Sequence, residues 1–373
     1  MIEIRKVKTA ADLRKFVKLP YRVFKEYPNW VPEVRSEEKS MLLPRKNPSL
    51  KTNETVAFLA LKDGKTAGRV TAILNSAANE AWGEKAVRFW MLDFIEDFEV
   101  AQALFAAVEE WARERGMTRV QGPLGFCDLD KQGMLVEGFD EQDIAITIYN
   151  PPYYPEYMER MGYVKKYDWL EYQVMSPEKP SERIERLAGI IMKRNKFTIL
   201  PLRTIKDIYP YLGEAFDVLN AAFRELPGVV ELSREQADKY ITDYIKFISP
   251  DYLCVVMDKD NKIAGFGVAV PSLGQAIRKS KGRLLPLGIF RMMRALKHNV
   301  SLDLYFIAVR PDMQNTGVSA VILNEFTKNG IKNGIRWAET GPELEENTRV
   351  QALWKEFEAR QHRRRRCYMK DLD

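Results

Sequence analysis

The stretch Arg310-Pro311-Asp312-Met313-Gln314-Asn315-Thr316-Gly317-Val318-Ser319 combines residue types and spacing that suit anion chemistry. It follows LDLYFIAV, an alternating β-prone run, and leads into VSAVILNEF, which is apolar at helical spacing. A Gly-containing turn at a helix entrance presents backbone N–H groups that have no acceptor inside the helix. The helix dipole adds partial positive charge, so such a turn suits phosphate or pyrophosphate. Gly317 permits close backbone approach, and the Ser319 hydroxyl can donate a further hydrogen bond. A lone Q-x-x-G-x-S also fits an ordinary helix cap, so its surroundings must decide. Other chemistry has few candidates. The 3 Cys (Cys127, Cys254, Cys367) and 2 His (His298, His362) have no metal-ligand spacing, and neither His sits in a triad-like motif.

The elements around the turn occur twice. Residues 56–74 (VAFLALKDGKTAGRVTAIL) and 252–270 (YLCVVMDKDNKIAGFGVAV) both read as strand, turn, strand. Asp63-Gly64 and Asp260-Asn261 are the turns, and Gly68 matches Gly265, 197 residues later. Residues 103–123 and 320–342 then repeat a helix, a Gly (Gly116, Gly334), a strand and a Gly-Pro pair. Asn150 in NPPYYPEYMERMGY matches Asn347 in NTRVQALWKEFEA. With 373 residues, and about 100–200 per domain, two copies of one domain fill the chain. The expected layout is a first domain at 1–176, a linker or bridging helix at 177–194, and a second domain at 195–373. The fold class is α/β, an α+β mixed sheet with hairpin strands and one helical crossover per copy.

Strand, Val-Arg-Pro, Gln-x-x-Gly-x-Ser, helix, strand and an Asn-led helix together resemble the GNAT acyl-CoA N-acyltransferase superfamily. The resemblance covers most of the chain and makes it similar to tandem GNAT proteins. It implies that Gln314, Asn315, Thr316, Gly317, Val318 and Ser319 hold the pyrophosphate of acetyl-CoA or another acyl-CoA. It implies that Ile307, Ala308 and Val309, on the strand before the loop, contact the bound thioester, and that Asn347 and Trp354 line the cofactor from the final helix. The first copy departs at the decisive place. Its LDFIEDFEVAQAL has no Gly at the turn and carries Glu96, Asp97 and Glu99, which satisfy the dipole themselves and repel pyrophosphate. A CoA site is therefore expected in the second copy alone.

The resemblance implies an N-acyltransferase, with acetyl-CoA as the expected donor, in which an amine attacks the thioester directly, and this suits a chain poor in His and Cys. Glu339 in IRWAETGP is the first candidate for the base and Asp303 the second. The superfamily's usual Tyr acid falls on Trp354, and indole cannot donate that proton, so Tyr305, Tyr368 or water is left to stand in. The rival readings are a non-catalytic CoA-binding or scaffold protein on a decayed tandem fold, and an aminoacyl or long-acyl transferase of Fem type. No metal is expected, and the acceptor is a small-molecule or peptide amine.

Net charge is +6, which suits an anionic small ligand as well as weak nucleic-acid contact and alone does not decide between them. No specific nucleic acid is expected, since the Arg-rich tail is short and lacks interleaved aromatics, and no apolar run is long enough for a membrane span. The few Cys and the lack of an export signal lead us to expect a cytoplasmic location. Residues 271–300 hold seven basic and no acidic residues, with Leu287, Phe290, Met293 and Leu296 at helical spacing. This insertion is expected to cap a cleft, attract anions or touch a membrane surface. The Arg-rich tail (Arg360, Arg363, Arg364, Arg365, Arg366) reads as a closing strand whose Arg face acids.

Overall fold

The computed structural model describes residues 1–373, which fall into two compact units. The first holds 1–170, 274–291 and 362–373; the second holds 171–273 and 292–361. The units thus interleave along the chain, whereas the expected domains were contiguous.

The first unit contains β1 (Ile2–Lys6), β2 (Glu54–Lys62), β3 (Lys65–Leu74), β4 (Ala86–Phe94), β5 (Arg119–Gly122), β6 (Met134–Glu137) and the start of β7 (Val164–Met175). β1 to β4 run antiparallel in sequence order, and β4 pairs in parallel with β5. The helix Phe98–Arg113 makes the crossover between β4 and β5. It buries Val100, Ala101, Leu104, Phe105, Val108, Trp111 and Ala112, the stripe that the 3.6-residue period predicts.

The second unit contains β8 (Thr198–Ile199), β9 (Leu253–Met257), β10 (Ile263–Pro271), β11 (Ser301–Val309), β12 (Trp337–Thr340) and β13 (Glu343–Leu344). Its sheet runs β8-β9-β10-β11-β12, with β11 and β12 parallel and the rest antiparallel. The helix Val318–Lys332 crosses between β11 and β12 and buries Val318, Val321, Ile322 and Phe326.

Strand register makes the repeat physical. Gly68 pairs with Phe94, and Gly265 pairs with Val309. A Cβ on Gly68 would lie 2.6 Å from Leu104 of the crossover helix, and one on Gly265 2.8 Å from Val318 of the other. Both glycines let the crossover helix settle on the hairpin. Both helices end in the same way: Met117 N–H bonds to Ala112 and Ile335 N–H to Gly330, each across a Gly with positive φ.

The closing strands are exchanged. Trp337, Ala338 and Glu339 of β12 pair with Met175, Val174 and Gln173, so the far end of β7 completes the second sheet. The chain's last strand, β14 (Ala359–Asp371), pairs through Tyr368–Asp371 with β5 and completes the first. The Arg tail is accordingly a strand facing acids. Arg364 and Arg366 both bond to the buried carboxylate of Asp168, and Arg365 lies 3.7 Å from Asp143. Burial alone would raise Asp168, but Arg366, Lys165 and Arg364 hold its carboxyl below the usual range.

Candidate functional site

β11 positions the site. Its parallel pairing with β12 runs from Ser301 to Leu304 and ends there, with Gly341 N–H bonded to the Leu304 carbonyl. Its register against β10 slips between Val268 and Ala269, which pair with Phe306 and Leu304, so half-buried Tyr305 is the extra residue of a bulge. Beyond that point β11 and β12 part. Arg310 N–H bonds to the Ala264 carbonyl across β10. By the two-residue alternation, Phe306 and Ala308 share that side, and the N–H groups of Ile307 and Val309 face the open split. Ala308 is fully buried with its main chain toward β10.

The end of β11 is pinned by Arg310. Its guanidinium donates to the Ile263 carbonyl, to Asp258 at 2.7 Å and to Asp312 at 2.6 Å. These bonds fix the direction in which the chain enters the Gln314–Ser319 turn. Gln314 and Asn315 are exposed, Thr316 and Ser319 half-exposed and Val318 buried. Asn315 and Gly317 have positive φ, 63° and 93°. The Gln314 and Thr316 N–H groups close back onto Pro311 and Met313. No side chain caps the helix that follows, and the N–H groups of Gly317, Val318 and Ser319 find no acceptor in the chain. This donor set fits a pyrophosphate. A feature that the sequence does not announce lies under the turn. Ile191 of the helix Glu182–Asn195 packs 2.5 Å from where a Gly317 Cβ would sit, and the Asn195 amide donates to the Thr316 carbonyl at 3.3 Å. The expected bridging helix is the floor of the turn.

The expected acids lie on the paired part of the sheet. Asp303 and Glu339 are register partners, both buried. Glu339 accepts from the Gln173 amide at 2.9 Å, and Gln173 in turn accepts from Arg360 at 3.0 Å. Asn347 opens only a short helix, Thr348–Gln351, continued as a 3-10 turn over Ala352–Glu356, and its side-chain amide bonds to nothing in the chain. Trp354 is buried in one cluster with Val174, Leu323 and the partly buried Leu304 and Ile307, which places it against β11. Its indole N–H is shared by both carboxylate oxygens of Glu343, at 2.9 and 3.0 Å. Burial, reinforced by neighbouring Glu171, pushes the Glu343 carboxyl up to about 8, despite that bond. Sequence reasoning missed Glu343, since nothing but burial distinguishes it from any Glu after a Gly-Pro pair. Tyr368, expected to stand in as the acid, belongs to the first unit, where its hydroxyl bonds to Glu159. No cluster of His, Cys, Asp and Glu is arranged to hold a metal.

A bulged strand, its split from a parallel neighbour and a crossover helix, present in both units, with an uncapped turn in the second alone, define a tandem GNAT fold. Over the whole length the chain superposes on a tandem GNAT protein from the clavulanic acid biosynthesis pathway, with a TM-score of 0.59, 11% identity and 98% of that chain covered. At that identity the likeness establishes the fold alone. In sequence, the chain is 26% identical to Protein YghO of Escherichia coli K12 over 368 residues, 97% of this chain and 93% of the relative. It is 28% identical over 298 residues to a protein named bacterial ceramide synthase from Caulobacter vibrioides, covering 78% of this chain and 75% of that one. No protein-family model matches.

Proposed function

We propose that the protein is an acyl-CoA-dependent N-acyltransferase with its CoA site in the second unit. The observation that carries this reading is the row of unpartnered N–H groups at Gly317, Val318 and Ser319, at the end of a strand split from its neighbour. An acyl-CoA supplies a thioester that amines attack, with the CoA thiol as leaving group. The turn binds its pyrophosphate, and the N–H groups of Ile307 and Val309 orient its arm and carbonyl. Glu339, with Asp303 beside it, takes the proton of the acceptor ammonium. Glu343, held by Trp354 at the place of the superfamily's Tyr, gives a proton to the leaving thiolate, since its carboxyl is protonated near neutrality.

The likeness to a ceramide synthase favours the long-acyl reading over acetyl. A ceramide is a long-chain amino alcohol acylated on nitrogen, so the donor we propose is a fatty acyl-CoA and the acceptor a long-chain amino alcohol. The test is release of free CoA thiol, with palmitoyl-CoA and acetyl-CoA each paired with sphinganine and with short amines. Turnover is expected for the long donor with the long acceptor. Thiol release with acetyl-CoA and short amines alone would return the reading to acetyl transfer, and CoA binding without thiol release under any pairing would leave a binding protein. With Glu343 as the acid, kcat falls as pH rises through about 8, and Glu343→Gln lowers kcat about tenfold or more and removes that limb.

A further inference from the structure

The insertion between β10 and β11 carries a surface that neither the fold nor the acyl-transfer reading uses. Leu285, Leu287, Phe290 and Met293 are 76%, 59%, 68% and 53% exposed, and Ile289 is exposed beside them. On the helix Gly288–Lys297, Ile289 and Phe290 lie four and three residues before Met293, so the three share a face. Met292, at the flank of that face, is buried. The apolar side chains thus point outward, the reverse of a helix packed on a core. Around them Arg283, Arg294 and Lys297 are exposed and pair with no acidic side chain, while Arg291 is tied to the Lys279 carbonyl at 2.7 Å. The 271–300 segment has seven basic residues and no acidic one.

We propose that this segment docks on an anionic lipid bilayer. An exposed apolar stripe rimmed by unpaired cations matches a surface that is apolar within and anionic at its headgroups. Self-association through the same face would set like charges against like, which opposes a second copy as the occupant. No helix is long and apolar enough to cross a membrane, so the contact lies in the surface plane. The inference rests on the patch and is independent of the acyl-transfer reading.

The experiment is co-sedimentation of the whole protein with vesicles of phosphatidylcholine alone and of phosphatidylcholine and phosphatidylglycerol in equal parts. Partitioning is expected to be at least about tenfold stronger on the anionic vesicles and to weaken steeply with salt. The variant Leu287→Ser/Phe290→Ser, and separately Arg283→Gln/Arg294→Gln/Lys297→Gln, each lowers partitioning about tenfold at an unchanged melting temperature. Equal sedimentation with both vesicle types overturns the proposal, as does a wild-type interaction indifferent to salt, a readout that needs no variant to fold. A wild-type dimer in light scattering that Leu287→Ser/Phe290→Ser turns into a monomer, without vesicle binding, assigns the face to a second copy and also overturns it.

Discussion

Phe94 and Val309 occupy the same place in the two units, each opposite a glycine and each at the end of the strand that splits from its parallel neighbour. In the second unit the Val309 N–H faces the open split. In the first, Ile95 N–H bonds to Ala67 just as Arg310 does to Ala264, so the Phe94 N–H also turns to the split, and there the Tyr154 hydroxyl accepts it at 2.8 Å. Tyr153 donates to the Phe94 carbonyl at 2.8 Å, and the Tyr154 ring stacks on Phe94 at 4.0 Å. The next step differs as well. Three residues, 95–97, lead to the first crossover helix and eight, 310–317, to the second. Asp97 caps the first helix through the Glu99 and Val100 N–H groups and pairs with Lys62. One residue back, the first unit buries an Arg69–Asp93 pair, joined by Glu38, where the second has Phe266 and Ala308. The same scaffold therefore has two end states. One fills its split with its own side chains and satisfies its own helix dipole; the other leaves those groups without an acceptor in the chain.

The largest effect that would break this contrast is in the first unit's lock. Arg69→Ala strands two buried carboxylates and is expected to lower unfolding free energy by about 3–5 kcal/mol in denaturant titration, with CoA affinity unaltered in the surviving folded protein. Next comes Gly317→Glu, which meets Ile191, strains a positive φ and sets a negative charge at the turn. By calorimetry it should weaken CoA at least about 100-fold, roughly 2.7 kcal/mol. Tyr154→Phe leaves the Phe94 N–H without an acceptor, and a loss of about 1–3 kcal/mol is expected with no change in CoA binding. A change in CoA affinity here would show that the first split also takes ligand. Smallest is Asp97→Ala, about 1 kcal/mol from a lost cap, read as a small drop in melting temperature.

Much of this was legible in residues. The glycines that seat each crossover helix and those that end it recur at matched positions, because a backbone needing closeness or positive φ admits few substitutes. The acids at 96–99 announced a self-capped helix. The partners of β7 and β14 were not legible, since a strand's alternation records which face is buried and not which neighbour it pairs with. For the same reason residues 274–291 gave no hint of belonging to the first unit, where the Arg35 N–H bonds to the Gly282 carbonyl. Glu343 was hidden differently. Its raised carboxyl depends on Trp354 and Glu171, remote in sequence, closing around it.

The exchanged closing strands make the polypeptide indivisible. Severed within 176–181, the leading fragment would carry the strand that finishes the other sheet and lack the one that finishes its own. The outer row of N–H and C=O groups on Arg119–Gly122 would be bare, and Asp168 would be stripped of Arg364 and Arg366. Neither copy could be lost, borrowed or expressed as a contiguous half without baring a strand edge in its own sheet.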